Sequence, residues 1–274
     1  MTLSASIGAD LGPRALAALV LGLAALFAAW AGGFAFVAFW WAASGIVLWE
    51  WQRLIRADRL IERVVIGAAA LAAAAIFALH TAIAPSLVAL AVGAGMVGWL
   101  AGPGSQAWAA GGVIYAGALV VSLGLLRASP NYGFAAVLWL FAVVWGVDIA
   151  AYFAGRLIGG PKLWPAVSPG KTWSGAIVGA VAGAVLGLLL FRWTTRIVGL
   201  FWLGLAVAIV SELGDLFESA LKRKFGVKDS SRLIPGHGGL MDRLDAFIAA
   251  AAFAALVAGL NSSGSYIASG LFEW

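Results

Sequence analysis

Residues 64–126 read VVIGAAALAAAAIFALHTAIAPSLVALAVGAGMVGWLAGPGSQAWAAGGVIYAGALVVSLGLL, and no Asp, Glu, Lys or Arg occurs among them. A helix crosses a bilayer with roughly 20 mainly apolar residues. This stretch is therefore long enough for three, broken where turn residues cluster at His80–Pro85 and Gly102–Ser105. Outward from it, the chain divides at charges and at Gly or Pro. Nine spans are expected, near 14–31, 33–49, 64–82, 85–101, 107–126, 133–155, 174–191, 197–217 and 243–260. The fold class is an all-α, polytopic integral membrane protein.

Composition excludes the alternatives. Of 274 residues 63% are hydrophobic, and 17 Lys+Arg with 12 Asp+Glu leave only 11% charged. An average soluble domain carries roughly 25% charged residues, and a soluble fold of this length could not hide so much apolar side chain. The 36 Gly fit closely packed membrane helices. There is no Cys, so thiol catalysis, Cys-based zinc sites and disulfides are excluded. The net charge of +5 sits between apolar blocks, a poor arrangement for nucleic acid. The first apolar segment is long and lacks a small-residue cleavage site, so it is not read as a cleaved signal peptide. Trp51–Arg63 is amphipathic and basic, and is expected to be an interfacial helix.

With nine spans, one set of loops holds 14 of the 17 Lys and Arg, and the other only Arg127, Arg192 and Arg196. The positive-inside rule puts the first set, and the N-terminus, in the cytoplasm. Compactness and the lack of a long soluble extension suggest the inner (cytoplasmic) membrane of a bacterium.

Charge is concentrated. Residues 211–245 hold 12 of the 29 charges. An ionised group inside the hydrocarbon layer costs at least ~2.5–3.5 kcal/mol, so such groups are paired, hydrated or functional. A cytoplasmic anchor accounts for Lys222, Arg223 and Lys224, but not for Asp215, Asp242 and Asp245. Asp242 and Asp245 are three apart and share a helix face, as do Glu212 and Asp215 on the preceding span. Their helices run antiparallel, so the carboxylates can meet at one depth. Such a cluster of hard oxygens suits Mg²⁺, which takes a few carboxylates, waters and substrate phosphates. Neutralisation by Arg243 and nearby Lys is the plainer alternative. Asp148 is the only acidic residue between Glu62 and Glu212, and it falls inside a span. It reads as a proton relay, a metal or nucleotide contact, or a partner of Arg156.

Two segments look suited to phosphate. Ser168-Pro-Gly-Lys-Thr-Trp-Ser-Gly175 offers hydroxyls, Lys171 and backbone N–H groups just before a helix. It is not a Walker A loop, because the first Gly of that motif would fall at Pro165. An ordinary connector with an N-cap at Ser174 is the alternative. Lys228–Arg243 carries Gly-His-Gly-Gly, where backbone can approach a ligand. His237 is read as functional from its Gly and carboxylate neighbours, and His80 as structural.

The run Ser219–Asp245 contains Ser-x-x-Lys-Arg, then Lys-Asp, then His-Gly-Gly-x-x-Asp-Arg-x-Asp. It resembles the signature of CDP-diacylglycerol synthase, the phosphatidate cytidylyltransferase family. Ser-Pro-x-Lys-Thr-Trp at 168–173 and Asp-x-x-Ala-Tyr-Phe-x-Gly-Arg at 148–156 agree with it. Ser174 departs from the family, where many members have Glu, and Glu212 is less usual than the Gly214-Asp215 that follows. The resemblance covers the C-terminal half well and the N-terminal half only as generic spans. It implies transfer of CMP from CTP to phosphatidic acid, giving CDP-diacylglycerol and pyrophosphate at the lipid bilayer. It also implies Mg²⁺ held by Asp215 and Asp242, with room for a monovalent cation such as K⁺ beside it.

Roles follow as expectations. Asp215 and Asp242 bind metal, while Asp245 and Asp148 are further ligands or orient waters. Lys171, Lys222, Arg223, Lys228 and Arg243 hold phosphates. Ser168, Thr172, Ser219, Asp229 and His237 contact nucleotide or lipid head group. The chain is one membrane domain, 1–274. Residues 1–132 carry the N-terminal helices and basic segment, 133–260 the catalytic helices and phosphate-binding loops, and 261–274 a short tail. No nucleic-acid partner is expected, and a homodimer is left open. A lipid or polyprenol kinase and a phosphate-compound transporter use similar ingredients. The kinase would release a nucleoside diphosphate, and the transporter would bind at mid-membrane, often between repeats.

Overall fold

The computed structural model describes residues 3–191, 197–234 and 238–273, with backbone alone over 3–15. Nine α-helices occur among these residues: α1 Leu3–Ala31, α2 Gly33–Leu54, α3 Leu60–Leu79, α4 Ile83–Leu100, α5 Gln106–Arg127, α6 Gly133–Leu157, α7 Trp173–Leu190, α8 Ile197–Lys224 and α9 Met241–Asn261. A hairpin of β1 (Lys162–Trp164) and β2 (Ser168–Thr172) lies between α6 and α7, and a 3₁₀ turn, Ile267–Leu271, follows α9.

Eight of the helices, α2 to α9, are long and apolar enough to cross a membrane. Leu87, Val88, Val92 and Trp99 of α4, like Ile177 and Leu189 of α7, point outward and stay exposed. Such faces are stable only against lipid. The chain is a polytopic, all-α membrane protein. In α1 the apolar stretch among the residues searched is Leu16–Ala31, within a helix that begins at Leu3.

The connections put alternate helix ends together. The α1–α2 turn uses Gly32 and Gly33 at φ +63° and +51°, a left-handed backbone that suits glycine. A Cβ on Gly32 would lie 2.3 Å from Arg127 Nη2, and Arg127 Nε donates to Ala29 O at 2.8 Å. The 3₁₀ turn packs on α9 at this same end, and the Tyr132 hydroxyl donates to Glu273. The opposite end gathers residues 55–59, the hairpin, and residues 225–234 and 238–240.

α5 is the central post, packed against α2, α3, α4, α6 and α9. α6 and α7 form the closest pair. Gly175, Gly179, Gly183 and Gly187 line the contact at four-residue spacing, and a Cβ on Gly183 would lie 2.7 Å from Val143 O. This is the small-residue packing that lets membrane helices approach.

Three local expectations are corrected. Trp51–Arg63 is no interfacial helix: α2 runs on to Leu54, a turn follows, and α3 starts at Leu60. Trp51, Gln52 and Arg63 face inward, the first two finding partners on α5, while Arg53, Arg56, Asp58, Arg59 and Glu62 stay exposed. Trp51 Nε1 donates to Trp108 O and Gln52 Nε2 to Ala109 O, both at 2.7 Å. Buried Arg63 donates to Ala57 O at 2.6 Å, to Asp58 O at 2.7 Å and to Gln52 Oε1. The segment from Ser168 is a strand, with Lys162 opposite Thr172 and Trp164 opposite Ser168. Thr172, not Ser174, caps α7, accepting from Gly175 N at 3.1 Å. Finally, α8 does not stop at 217 but continues to Lys224.

Candidate active site

Two polar clusters form at the end that carries the hairpin and the 225–240 loop. The first is a cavity of about 520 Å³ between α6, β2, α7 and α8. Asp148 and Arg156 line it from α6, Lys171 and Thr172 from the hairpin, and Glu212 and Asp215 from α8. Glu212 and Asp215 share one face because they are three apart on a helix. Lys171 Nζ lies 2.7 Å from Asp215 Oδ2, and Ser219 Oγ donates to Asp215 Oδ1 at 3.3 Å. Glu212 Oε1 is buried and has no hydrogen-bond partner among the described residues. Asp148 lies within the fields of Asp215, Lys171 and Arg243.

The second cluster lies beneath the 225–240 loop. Lys222 Nζ is 2.6 Å from Glu218 Oε2 and 2.5 Å from Asp242 Oδ1. Asp242 Oδ2 accepts from Ser230 N at 3.0 Å, Ser230 Oγ at 2.9 Å and Gly239 N at 2.8 Å. A charge so placed is tolerated because both carboxylate oxygens meet donors. Gly238 has φ +83°, and a Cβ there would sit 2.8 Å from Asp242 Oδ2. Asp245 is buried between the clusters, in the fields of Asp215, Lys222 and Asp148.

An apolar cleft of about 640 Å³ adjoins the cavity, between α1, α2, α6 and α9. Gly22, Ala25, Trp40, Phe141, Trp145 and Phe247 are among its walls. Its polar end holds Asp148 and Arg243, so Asp148 borders both spaces.

The sequence has known relatives. Residues 13–260 match the sequence profile of the cytidylyltransferase family. The chain belongs to that family. A phosphatidate cytidylyltransferase of Brucella suis biovar 1 is 42% identical over 248 residues, which cover 89% of this chain and 91% of the relative. One from Haemophilus influenzae is 43% identical over 145 residues, half of each chain, and one from Staphylococcus saprophyticus is 45% identical over 116 residues, 41% and 44% of the two.

In this family member Asp148, Lys171, Thr172 and Asp215 come together on one cavity, while Lys222 and Asp242 meet in the buried network. Arg223 is exposed and reaches Val167 O and Val227 O at 3.5 and 3.3 Å. Lys228 and Asp229 are exposed on the loop. Ser168 stands opposite Trp164 in the hairpin, and His237 lies outside the described residues.

Four residues went unassigned by sequence reasoning. Glu212 was named only for its spacing. Glu218 received no role, although its i, i+4 spacing to Lys222 was a legible signal. The Tyr115 hydroxyl is buried without a hydrogen-bond partner among the described residues, in the field of Asp245, Glu218, Asp215 and Asp242. Glu50 is fully buried at the end of α2 and contacts the loop before α9. No local pattern marks Tyr115 or Glu50.

Proposed function

We propose that this chain is a phosphatidate cytidylyltransferase, transferring CMP from CTP to phosphatidic acid and releasing pyrophosphate. The carrying observation is that a carboxylate–lysine cavity and an apolar cleft meet at Asp148 and Ala246, with Asp148 the charged group they share. A soluble triphosphate and a lipid phosphate need such adjoining spaces. A phosphatidate oxygen forms the new bond to the α-phosphorus of CTP, and the bond to the β-phosphate oxygen breaks. Positioning and charge neutralisation do most of the work in such transfers. Lys171 and Arg156 supply cations at the cavity, and Arg243 at the mouth of the cleft. The excess of basic residues at this end supports a cytoplasmic active site with the N-terminus inside, in a bacterial inner membrane.

The implied metal is Mg²⁺. Among the described residues no three His, Asp or Glu side chains lie together as a ready cage. That suits an ion which keeps waters and substrate phosphates and takes only one or two carboxylates. Asp215 fits it, with the unpartnered oxygen of Glu212 on the same cavity. Asp242 could serve as the second ligand only by exchanging the Lys222 ammonium for the ion. When bound, the ion would neutralise charge on the phosphates. A K⁺ beside it remains an expectation of the resemblance alone.

The test is incubation of purified protein with labelled CTP, phosphatidic acid and Mg²⁺. The expected result is cytidine label in the lipid phase with one pyrophosphate per lipid. Release of CDP with an unlabelled lipid would establish a kinase instead.

The cleft gives a second expected result. Gly22 faces it with Trp145 Cη2 3.8 Å from an added Cβ, so small substitutions fit but a leucine fills the space. Gly22→Leu should raise KM for phosphatidic acid by about 10-fold, since apolar-pocket misfits are worth roughly 1–3 kcal/mol. KM for CTP should not change. An equal rise in both would refute the cleft as the acyl-chain site.

A further inference from the structure

We propose that Glu50 is a positioning residue for this reaction, clamping Ser230, Ser231 and Leu240 onto the start of α9 and so fixing Asp242 and Lys222. The link to turnover rests on the nucleotidyl-transfer reading above. The clamp itself rests on geometry.

Glu50 is 0% exposed. Its Oε1 accepts from Ser231 Oγ at 2.5 Å and Leu240 N at 2.9 Å. Its Oε2 accepts from Met241 N at 2.6 Å and Ser230 Oγ at 3.1 Å. The first N–H groups of any helix lack partners within it, and they favour an anion. α9 has no side-chain cap of its own. The cap is supplied instead by a carboxylate 190 residues earlier in the chain. The two serine hydroxyls tie the preceding loop to the same carboxylate.

The clamp leads directly to Asp242. Ser230 gives Asp242 Oδ2 its backbone N–H at 3.0 Å and stands between the two carboxylates, its Oγ 2.9 Å from Asp242 Oδ2. Its single hydroxyl proton serves one of them at a time. Gly239 completes the join, donating its N–H to Asp242 while passing close to Glu50. A Cβ on Gly239 would lie 2.4 Å from Glu50 Oε1 and 2.0 Å from Ser230 Oγ. Glycine-bearing loops lose much entropy on ordering, so the loop needs an anchor of this strength. An ionised side chain this deeply buried costs stability unless donors surround it; Ser231 Oγ, Leu240 N and Met241 N donate to Glu50, and Ser230 Oγ does so when its proton turns from Asp242.

Glutamine has the same shape but carries a donor. In either orientation its NH₂ faces a backbone N–H, that of Leu240 or Met241. Aspartate is one methylene short but keeps the charge and accepts only. If Glu50 merely filled space, Gln would replace it better than Asp, and the clamp reverses that order. In purified, lipid-supplemented protein, Glu50→Gln should lower kcat by about 10–100-fold, the usual effect of losing an orienting partner behind a functional group. Glu50→Asp should retain more turnover than Glu50→Gln. Gln at wild-type kcat, or Gln above Asp, overturns the proposal. Should Glu50→Gln fail to fold, Ser230→Ala/Ser231→Ala removes two of the four donors and leaves the carboxylate in place. It should slow turnover several-fold, and unchanged turnover overturns the proposal. Amide hydrogen exchange reads the clamp without chemistry: Leu240 and Met241 should exchange faster in either variant, and unaltered exchange overturns it. Wild-type protein that makes no cytidine lipid would defeat the reaction reading and leave the exchange result standing.

Discussion

Asp215→Asn should reduce turnover by at least about 10³-fold while the protein inserts and folds as before. The substitution keeps the side chain's shape, so packing around α8 does not change. What it removes is a negative charge that faces the cavity and holds Lys171 Nζ at 2.7 Å. That pair is partly open, with the two side chains 27% and 32% exposed, and pairs of this kind contribute only about 0–1 kcal/mol to stability. Folding is thus nearly indifferent to Asp215, and the large loss must be chemical. A metal ligand or phosphate-orienting charge supplies several kcal/mol to the transition state, and each 1.36 kcal/mol is about tenfold in rate. The measurement is kcat of the purified variant beside its melting temperature. If turnover survives at about a tenth of the wild-type rate, Asp215 has no place in the site.

The helices were legible because apolar runs of bilayer length permit few other structures. The signature was legible because its charges stand where an anchor would not want them. Three features were hidden for physical reasons. α8 runs past the apolar limit at 217 because Glu218 and Lys222, one turn apart, neutralise each other inside it. Composition shows where the apolar run ends, not where the helix does. The 162–172 hairpin has strands of 3 and 5 residues, too short for a period-2 pattern to declare itself. Glu50 stands beside Trp51 and just before Arg53, so it resembles an interfacial charge. Its burial depends on donors from Ser230, Ser231, Leu240 and Met241, about 180–190 positions on. Only tertiary structure brings such partners together. The same holds for the adjoining cavity and cleft, whose walls come from helices far apart in the chain.

Lys222→Met should be the most destabilising single change in this region. The Lys222 side chain is 11% exposed, and its ammonium touches two carboxylates whose side chains are 0% (Glu218) and 7% (Asp242) exposed. Methionine matches the length and volume of the lysine stem, so little cavity is created. The cost is electrostatic, because a buried charge pair broken from one side costs about 3–5 kcal/mol. For a domain of 150–250 residues that corresponds to a fall in melting temperature of about 6–20 °C. The two stranded carboxylates are not equivalent. Asp242 keeps the amides of Ser230 and Gly239, whereas the Glu218 carboxylate faces the lost ammonium. Adding Glu218→Leu should therefore recover much of the loss, since a buried ionic pair replaced by apolar side chains is often neutral or better. The order of the three proteins decides the matter: wild type above Lys222→Met, with the double variant between them or higher. A double variant less stable than Lys222→Met would mean that Glu218 has other partners, and that the Lys222 ammonium is not what holds it in the core.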